Sequence, residues 1–155
     1  MPPETPNWTD IASVVISAIT VLTIAFAAVQ LIFHTRQMHR DFESLYVQRY
    51  WALMDRRTPS FALDRVPTEG DRPIIRAYLQ LSEDEIDLRR LGRVTDHTWA
   101  YWSGAIVDQC STVGYQEELL ATPEADYPRV RTLIARNGDW DPLEKGAIWR
   151  ARHGL

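Results

Sequence analysis

The sequence predicts an all-α protein in which an N-terminal transmembrane helix continues as a stalk into a small helical bundle. Three observations carry that prediction. Residues 11–33, "IASVVISAITVLTIAFAAVQLIF", hold no charged side chain. Residues 34–57 hold no Gly or Pro, so nothing in them stops a helix. Beyond them apolar residues recur at three- and four-residue spacing, and no period-two run of convincing strand length occurs.

Thirteen of the positions 11–33 are Ile, Leu, Val or Phe. At roughly −0.3 to −0.6 kcal/mol each they favour insertion by about 4 to 8 kcal/mol, against modest Ser, Thr and Gln penalties. A helix of that length rises about 35 Å, against a hydrocarbon core of about 30 Å. A cleaved signal peptide fits less well. The leader "MPPETPNWTD" has no Lys or Arg, and the apolar run continues past the A-x-A-like "AFA" at 25–27. Glu4 and Asp10 precede the span, whereas Arg36, Arg40, Arg49, Arg56 and Arg57 follow it. The positive-inside rule then places the leader outside and the remainder in the cytoplasm. The expected organisation is a short extracytoplasmic leader (1–10), a transmembrane helix (11–33), a juxtamembrane stalk helix (34–57) and a cytoplasmic helical bundle (58–155).

Composition narrows the setting. The chain has 155 residues, a net charge of −4 and one cysteine, Cys110. An acidic chain without a basic stripe is a poor ligand for nucleic acid, whose affinity rests on neutralising phosphates. A lone cysteine suits a reducing compartment. Lys145 is the only lysine beside many arginines. That bias points to a bacterial source and so to the inner membrane.

Along the span, Ser13, Ser17, Thr20, Thr23, Ala27 and Gln30 fall within about half the helix circumference, opposite most of the bulky residues. Small and hydroxyl-bearing residues let another helix approach, so this seam predicts a homo-oligomer or a membrane-protein partner in addition to the lipid bilayer. The alternative is that the hydroxyls bond back to carbonyls of their own helix. Past the span, Met38, Phe42, Leu45, Tyr46, Arg49 and Leu53 follow a helical stripe. His34, Arg36, His39 and Arg40 form a small basic collar.

In the bundle, "TPSFALDRVPTEG" (58–70) reads as a loop. Asp71 is the expected N-cap of a helix with Pro73 in its first turn. Ser82 with Glu85 makes a capping-box pattern, so the stretch ending at Gly92 is one bent helix or two short ones. Asp96 opens the next helix, with Trp99, Trp102, Ile106, Cys110 and Val113 on one face. "DYPRVRTLIARNG" follows, capped by Asp126 and ended by Asn137-Gly138. "DPLEKGAIWRARHG" comes last, with Asp141, Pro142 and Glu144 at its start.

The segments "RYWALMDRR" and "YLQLSEDEIDLRRLGRVTDHTWAYW" carry a family likeness. With the N-terminal span, the chain over roughly residues 11–136 resembles a family of bacterial membrane proteins, domain of unknown function 4760. The shared elements are Glu85-Ile86, the "LRRLGRV" helix end and the Trp-bearing helix that follows. The resemblance implies an architecture and no activity.

The densest polar cluster is Glu83, Asp84, Glu85 and Asp87 with Arg89, Arg90 and Arg93. Paired carboxylates serve acid–base chemistry or hard cations. The plainer reading is a solvated helix face with a Glu85–Arg89 pair. The histidines lack ligand spacing, Cys110 lies on an apolar face, and no phosphate loop, HExxH, CxxC or GxSxG occurs. No catalytic, cofactor or metal site is therefore expected. Trp140 and Trp149 are candidates for contact with a partner, since aromatics dominate interfaces. The expectation is a membrane-anchored accessory or scaffold protein without catalytic activity. The alternatives are a pore-forming or defence-type membrane effector, and a ligand sensor or enzyme using the acidic cluster near Glu85.

Overall fold

A computed structural model describes residues 8–64, 66–153 and 155. The described chain is all-helical, with no strand among these residues. Its helices are α1 (Trp8–Met54), α2 (Arg72–Arg90), α3 (Asp96–Cys110), α4 (Val113–Ala121), α5 (Pro128–Ala135) and α6 (Ala147–His153). Two compact units are formed, Met1–Gln37 and Met38–Leu155. Most of the expected leader lies outside the described residues.

The first unit is the N-terminal part of α1. Residues Ile11–Leu31 make one helical stretch long and apolar enough to cross a membrane, and none of it is buried in the chain. The hydroxyls of Ser17, Thr20 and Thr23 donate to the carbonyls of Ser13, Ile16 and Ile19, each at 2.8 Å. Each is thus satisfied within its own helix, as the alternative reading of the seam holds. Ala27 and Gln30 are exposed on the single chain.

The second unit begins with the remainder of α1, which stops at Met54, three residues before the expected end. Its buried stripe keeps Met38, Phe42, Tyr46 and Leu53 of the expected one at least half-buried and differs at two positions. His39, Tyr46 and Met54 are buried and Tyr50 and Leu53 half-buried, whereas Leu45 and Arg49 face solvent. His39 is not part of a basic collar. Its two ring nitrogens face backbone carbonyls, Nδ1 at 2.9 Å from Arg93 O and Nε2 at 3.1 Å from His153 O.

Helix α2 is the hub. Ten of its 19 residues are buried, so apolar side chains leave it on most sides and α3, α4 and α5 all pack on it. Ile75, Leu79 and Ile86 join Ile106, Cys110, Tyr115, Val130 and Leu133 in the core. At about 25 cal/mol per Å² of apolar surface, this burial is the main term holding the unit together. Ser82 does not open a second helix. It lies fully buried inside an unbroken α2, because burying Leu79, Leu81 and Ile86 on either side outweighs a local capping preference.

Of three expected helix starts, that of α2 directly after Asp71 is as expected and the other two differ. Asp71 holds the N-cap position of α2, but its side chain makes no cap hydrogen bond to that helix. Its carboxylate accepts from N and Oγ1 of Thr58 (2.9 and 2.7 Å) and of Thr68 (2.9 and 2.7 Å), which closes the 58–70 segment. That segment holds a π-helical turn, Ser60–Asp64, which buries Phe61, and a 3-10 turn, Glu69–Asp71. Asp126 does not cap α5. Tyr127 in the left-handed region (φ 54°) turns the chain, and Glu83 of α2 accepts from the backbone N–H of Arg129 (3.0 Å) and Val130 (2.9 Å). A carboxylate there satisfies orphan donors and favours the helix dipole. Asp141 does not start the last helix, which begins at Ala147.

Asp141 instead joins a four-member charge network. The fully buried Arg89 donates from Nε to Asp141 Oδ1 (2.9 Å), from Nη2 to Asp96 Oδ1 (2.6 Å) and from Nη1 to Val94 O (2.8 Å). Arg150 bridges the same carboxylates, at 2.9 Å to Asp96 and 3.0 Å to Asp141. Burial would raise the Asp141 pKa, but the Arg89 hydrogen bonds outweigh it and hold it below the ordinary value. Two cations and two anions thus fasten the C-terminal segment to α2 and α3.

Two chain reversals are as expected: Gly92 (φ 70°) after α2, and Asn137-Gly138 (φ 50° and 81°) after α5. Helix α3 ends at Cys110, so Val113 is not on its face. Val113 begins α4, an element the sequence did not announce, and is exposed.

Candidate functional site

The acidic cluster separates on folding, because successive positions on a helix diverge by about 100°. Glu83 turns to α5, where Arg129 Nη1 also donates to it at 2.9 Å. Asp84 is half-buried and accepts from Gln80 at 3.0 Å. Asp87 pairs with Arg90 and Arg129, each at 2.9 Å. Glu85 alone is directed to a cavity.

That cavity measures about 350 Å³ and is bounded by α1, α2 and α3. Tyr50 and Trp51 reach it from α1, Tyr78 and Glu85 from α2, and Tyr101 and Trp102 from α3, with Ile106 and Gln109 further along that helix. The spacings explain the convergence. Tyr78 and Glu85 stand seven apart on one face of α2, as do Trp102 and Gln109 on α3. Tyr78 and Ile106 are buried and form the floor, whereas Trp51 (57% exposed) and Tyr101 (76% exposed) stand at the rim. The rings pack edge to face through the core, with centroids 5.2 Å apart for Tyr50–Trp51, 6.1 Å for Tyr50–Tyr78 and 5.2 Å for Tyr78–Tyr115. Each such pair adds about 0.5–1.5 kcal/mol beyond burial and holds the wall rigid.

Glu85 is 7% exposed. The expected pair with Arg89 is not made, since Arg89 is committed to Asp96 and Asp141. Among the described residues no cation or hydrogen-bond donor engages Glu85. Burial, helped by the charge of Asp84, pushes its pKa up to about 8. Its carboxyl therefore favours the protonated form at neutral pH.

A carboxyl poised near neutrality is competent in proton transfer. Tyr50, Tyr78, Tyr101 and Gln109 are the other polar side chains that line the cavity. Cys110, the nearest thiol, is fully buried; burial and then the charge of Glu85 push its pKa up to about 12, which leaves it without a nucleophilic thiolate. Among the described residues no cluster of three or more His, Cys, Asp or Glu is placed to hold a metal ion.

Trp140 is half-buried against the core. Trp149 is half-buried too, stacked on His153 with centroids 3.8 Å apart and covered by the Lys145 ammonium at 5.7 Å. Both make contacts inside the chain and lie away from the cavity. The wall residues Tyr50, Trp51, Tyr101 and Trp102 were not singled out from sequence as a site. The available signal was two aromatic pairs adjacent in sequence, but nothing local says that they meet. No family model, no characterised protein and no solved structure matches this chain.

Proposed function

We propose that this protein is a single-pass, membrane-anchored accessory or interaction module that acts without catalysis. Its leader faces outward and its helical bundle lies on the cytoplasmic side of a bacterial inner membrane. One observation carries the reading: the 21 residues Ile11–Leu31 form an apolar helical stretch with none of its residues buried in the chain. In water that surface is costly, and a rise of about 32 Å matches the hydrocarbon core. The charge asymmetry across the stretch supports the orientation. The bulky exposed side chains of the span suit lipid, and its Ser and Thr side leaves room for a second helix.

A ligand-sensing role for the same module is favoured by a separate observation, the unpaired Glu85 in an aromatic cavity. Cross-linking with mass spectrometry in intact membranes, combined with protease applied to spheroplasts, tests the anchoring reading. It expects extraction only with detergent, cross-links from the span to a copy or a membrane partner, and a protected C-terminal portion. Recovery of the intact chain in the aqueous fraction would overturn it.

A further inference from the structure

We propose that the cavity bounded by α1, α2 and α3 is a binding site for a small organic cation, an ammonium or quaternary ammonium group, held by the Glu85 carboxylate and the faces of Trp51, Tyr101 and Trp102. This inference rests on the ligand-sensing reading and is independent of membrane anchoring.

The chemistry of the lining selects the occupant. Among the described residues no Arg, Lys or His borders the cavity, so an anion would meet a carboxyl and no counter-charge. A wholly apolar ligand would cover Glu85 without satisfying it, at a cost the site need not meet if left empty. A metal ion needs several oxygen, nitrogen or sulfur ligands, and a single carboxylate does not supply them. One positive charge spread over methyl or methylene groups meets both features at once. It pairs with the carboxylate, and the negative faces of electron-rich rings stabilise it in a partly dry site. The volume of about 350 Å³ is at the small end of ligand sites, which suits a single headgroup-sized molecule. The rim rings, Trp51 and Tyr101, are exposed and so open to a ligand.

Binding is linked to a proton. A cation enters as the Glu85 carboxyl O–H gives its proton to solvent, and the carboxylate–cation pair replaces the neutral acid. Among the described residues, the titratable groups that face Glu85 are Asp84 and Tyr78 on its own helix, Tyr46 and Tyr50 from α1, and Tyr101 and Cys110 from α3, and none carries a positive charge. Affinity for a cation therefore rises with pH up to the Glu85 pKa, by at most about tenfold per unit, and is flat above it.

The test uses the full chain in a non-ionic maltoside detergent, titrated calorimetrically from pH 6 to pH 9. The probes are choline and its uncharged isostere 3,3-dimethylbutan-1-ol. Choline is expected to bind at least tenfold more tightly than the alcohol at pH 8, with affinity climbing from pH 6 to about 8 and then level. Glu85→Gln should lower choline affinity at least tenfold and flatten the pH profile. Trp51→Ala and Tyr101→Ala, both at exposed positions that leave the core intact, should each weaken it several-fold. Equal affinity for the two probes, or a choline affinity that falls as pH rises, would overturn the cation assignment while leaving a ligand site. No binding of either probe to protein with a native near-UV spectrum would overturn both. Repeating the titration in phosphatidylcholine and phosphatidylglycerol nanodiscs distinguishes the sources. Competition confined to phosphatidylcholine marks a lipid headgroup as occupant, and equal affinities mark a free solute.

Discussion

Replacing Glu85 with Gln keeps the side-chain shape and removes the ionisation, so it isolates what the buried carboxyl does to stability. In the folded chain burial pushes the Glu85 pKa up to about 8, against an ordinary value of 4.5. A raised carboxyl pKa means that the folded state holds the proton more tightly than the unfolded one. The stabilising effect of that proton is complete below about pH 4.5 and is lost progressively as pH rises to about 8, above which stability is level. At about 1.4 kcal/mol per pH unit, the loss is on the order of 3 kcal/mol at pH 7 and nearer 5 kcal/mol above pH 8. Gln has no proton to lose. Glu85→Gln should therefore match the wild type near pH 4.5 and exceed it by about 3 kcal/mol at pH 7, an upward shift in Tm of roughly 6–12 °C. Chemical and thermal unfolding in maltoside micelles, followed by tryptophan fluorescence at pH 4.5, 6, 7 and 8.5, measures it. Taking the difference between the two proteins cancels every other titrating group. A variant no more stable than wild type at pH 8.5, or a difference that does not grow with pH, would mean that Glu85 is solvated or paired and that the cavity is wrongly described.

The other predictions concern the frame around the cavity. Arg89→Leu strips the buried member from the network with Asp96 and Asp141; it should cost about 3–5 kcal/mol in unfolding and expose the C-terminal segment to trypsin, with Arg89→Lys intermediate because an ammonium lacks the planar fork. Gly92→Ala puts a Cβ 2.9 Å from Trp149 Cη2 at a backbone φ of 70°. It should destabilise by about 1–3 kcal/mol, and Trp149→Ala should relieve part of that, so the double variant reads less than additive in thermal melts. Cys110, with a thiol pushed to about 12, should resist maleimide labelling at pH 8 in the folded protein and label at once in guanidinium; labelling in the folded state would contradict its burial.

The elements legible from the chain are those with local causes. A charge-free apolar run is a property of consecutive residues, and Ile11–Leu31 is correspondingly plain. Gly92 and Asn137-Gly138 mark chain reversals because their backbone conformations disfavour other residues. Where capping residues were read from the sequence, α2 does start directly after Asp71, but α5 and α6 do not start at Asp126 and Asp141. Asp71, Asp126 and Asp141 all look like caps, yet Asp71 is taken up by two threonines and Asp141 by Arg89, 52 positions away. Short-range propensity is worth about 1 kcal/mol at such positions, and a buried charge-assisted hydrogen bond is worth more.

By itself, the sequence determined that the chain is all-helical and that one stretch is long and apolar enough for a membrane, since both follow from periodicity and hydropathy along the chain. Only the tertiary structure decided which of four neighbouring acidic residues would be left unpaired among tyrosines and tryptophans. That outcome depends on α1 and α3 delivering their aromatic side chains to the one face of α2 that carries Glu85, while Arg89 is drawn to partners elsewhere. Burial and charge pairing between residues far apart in sequence are set by packing, which no local pattern encodes.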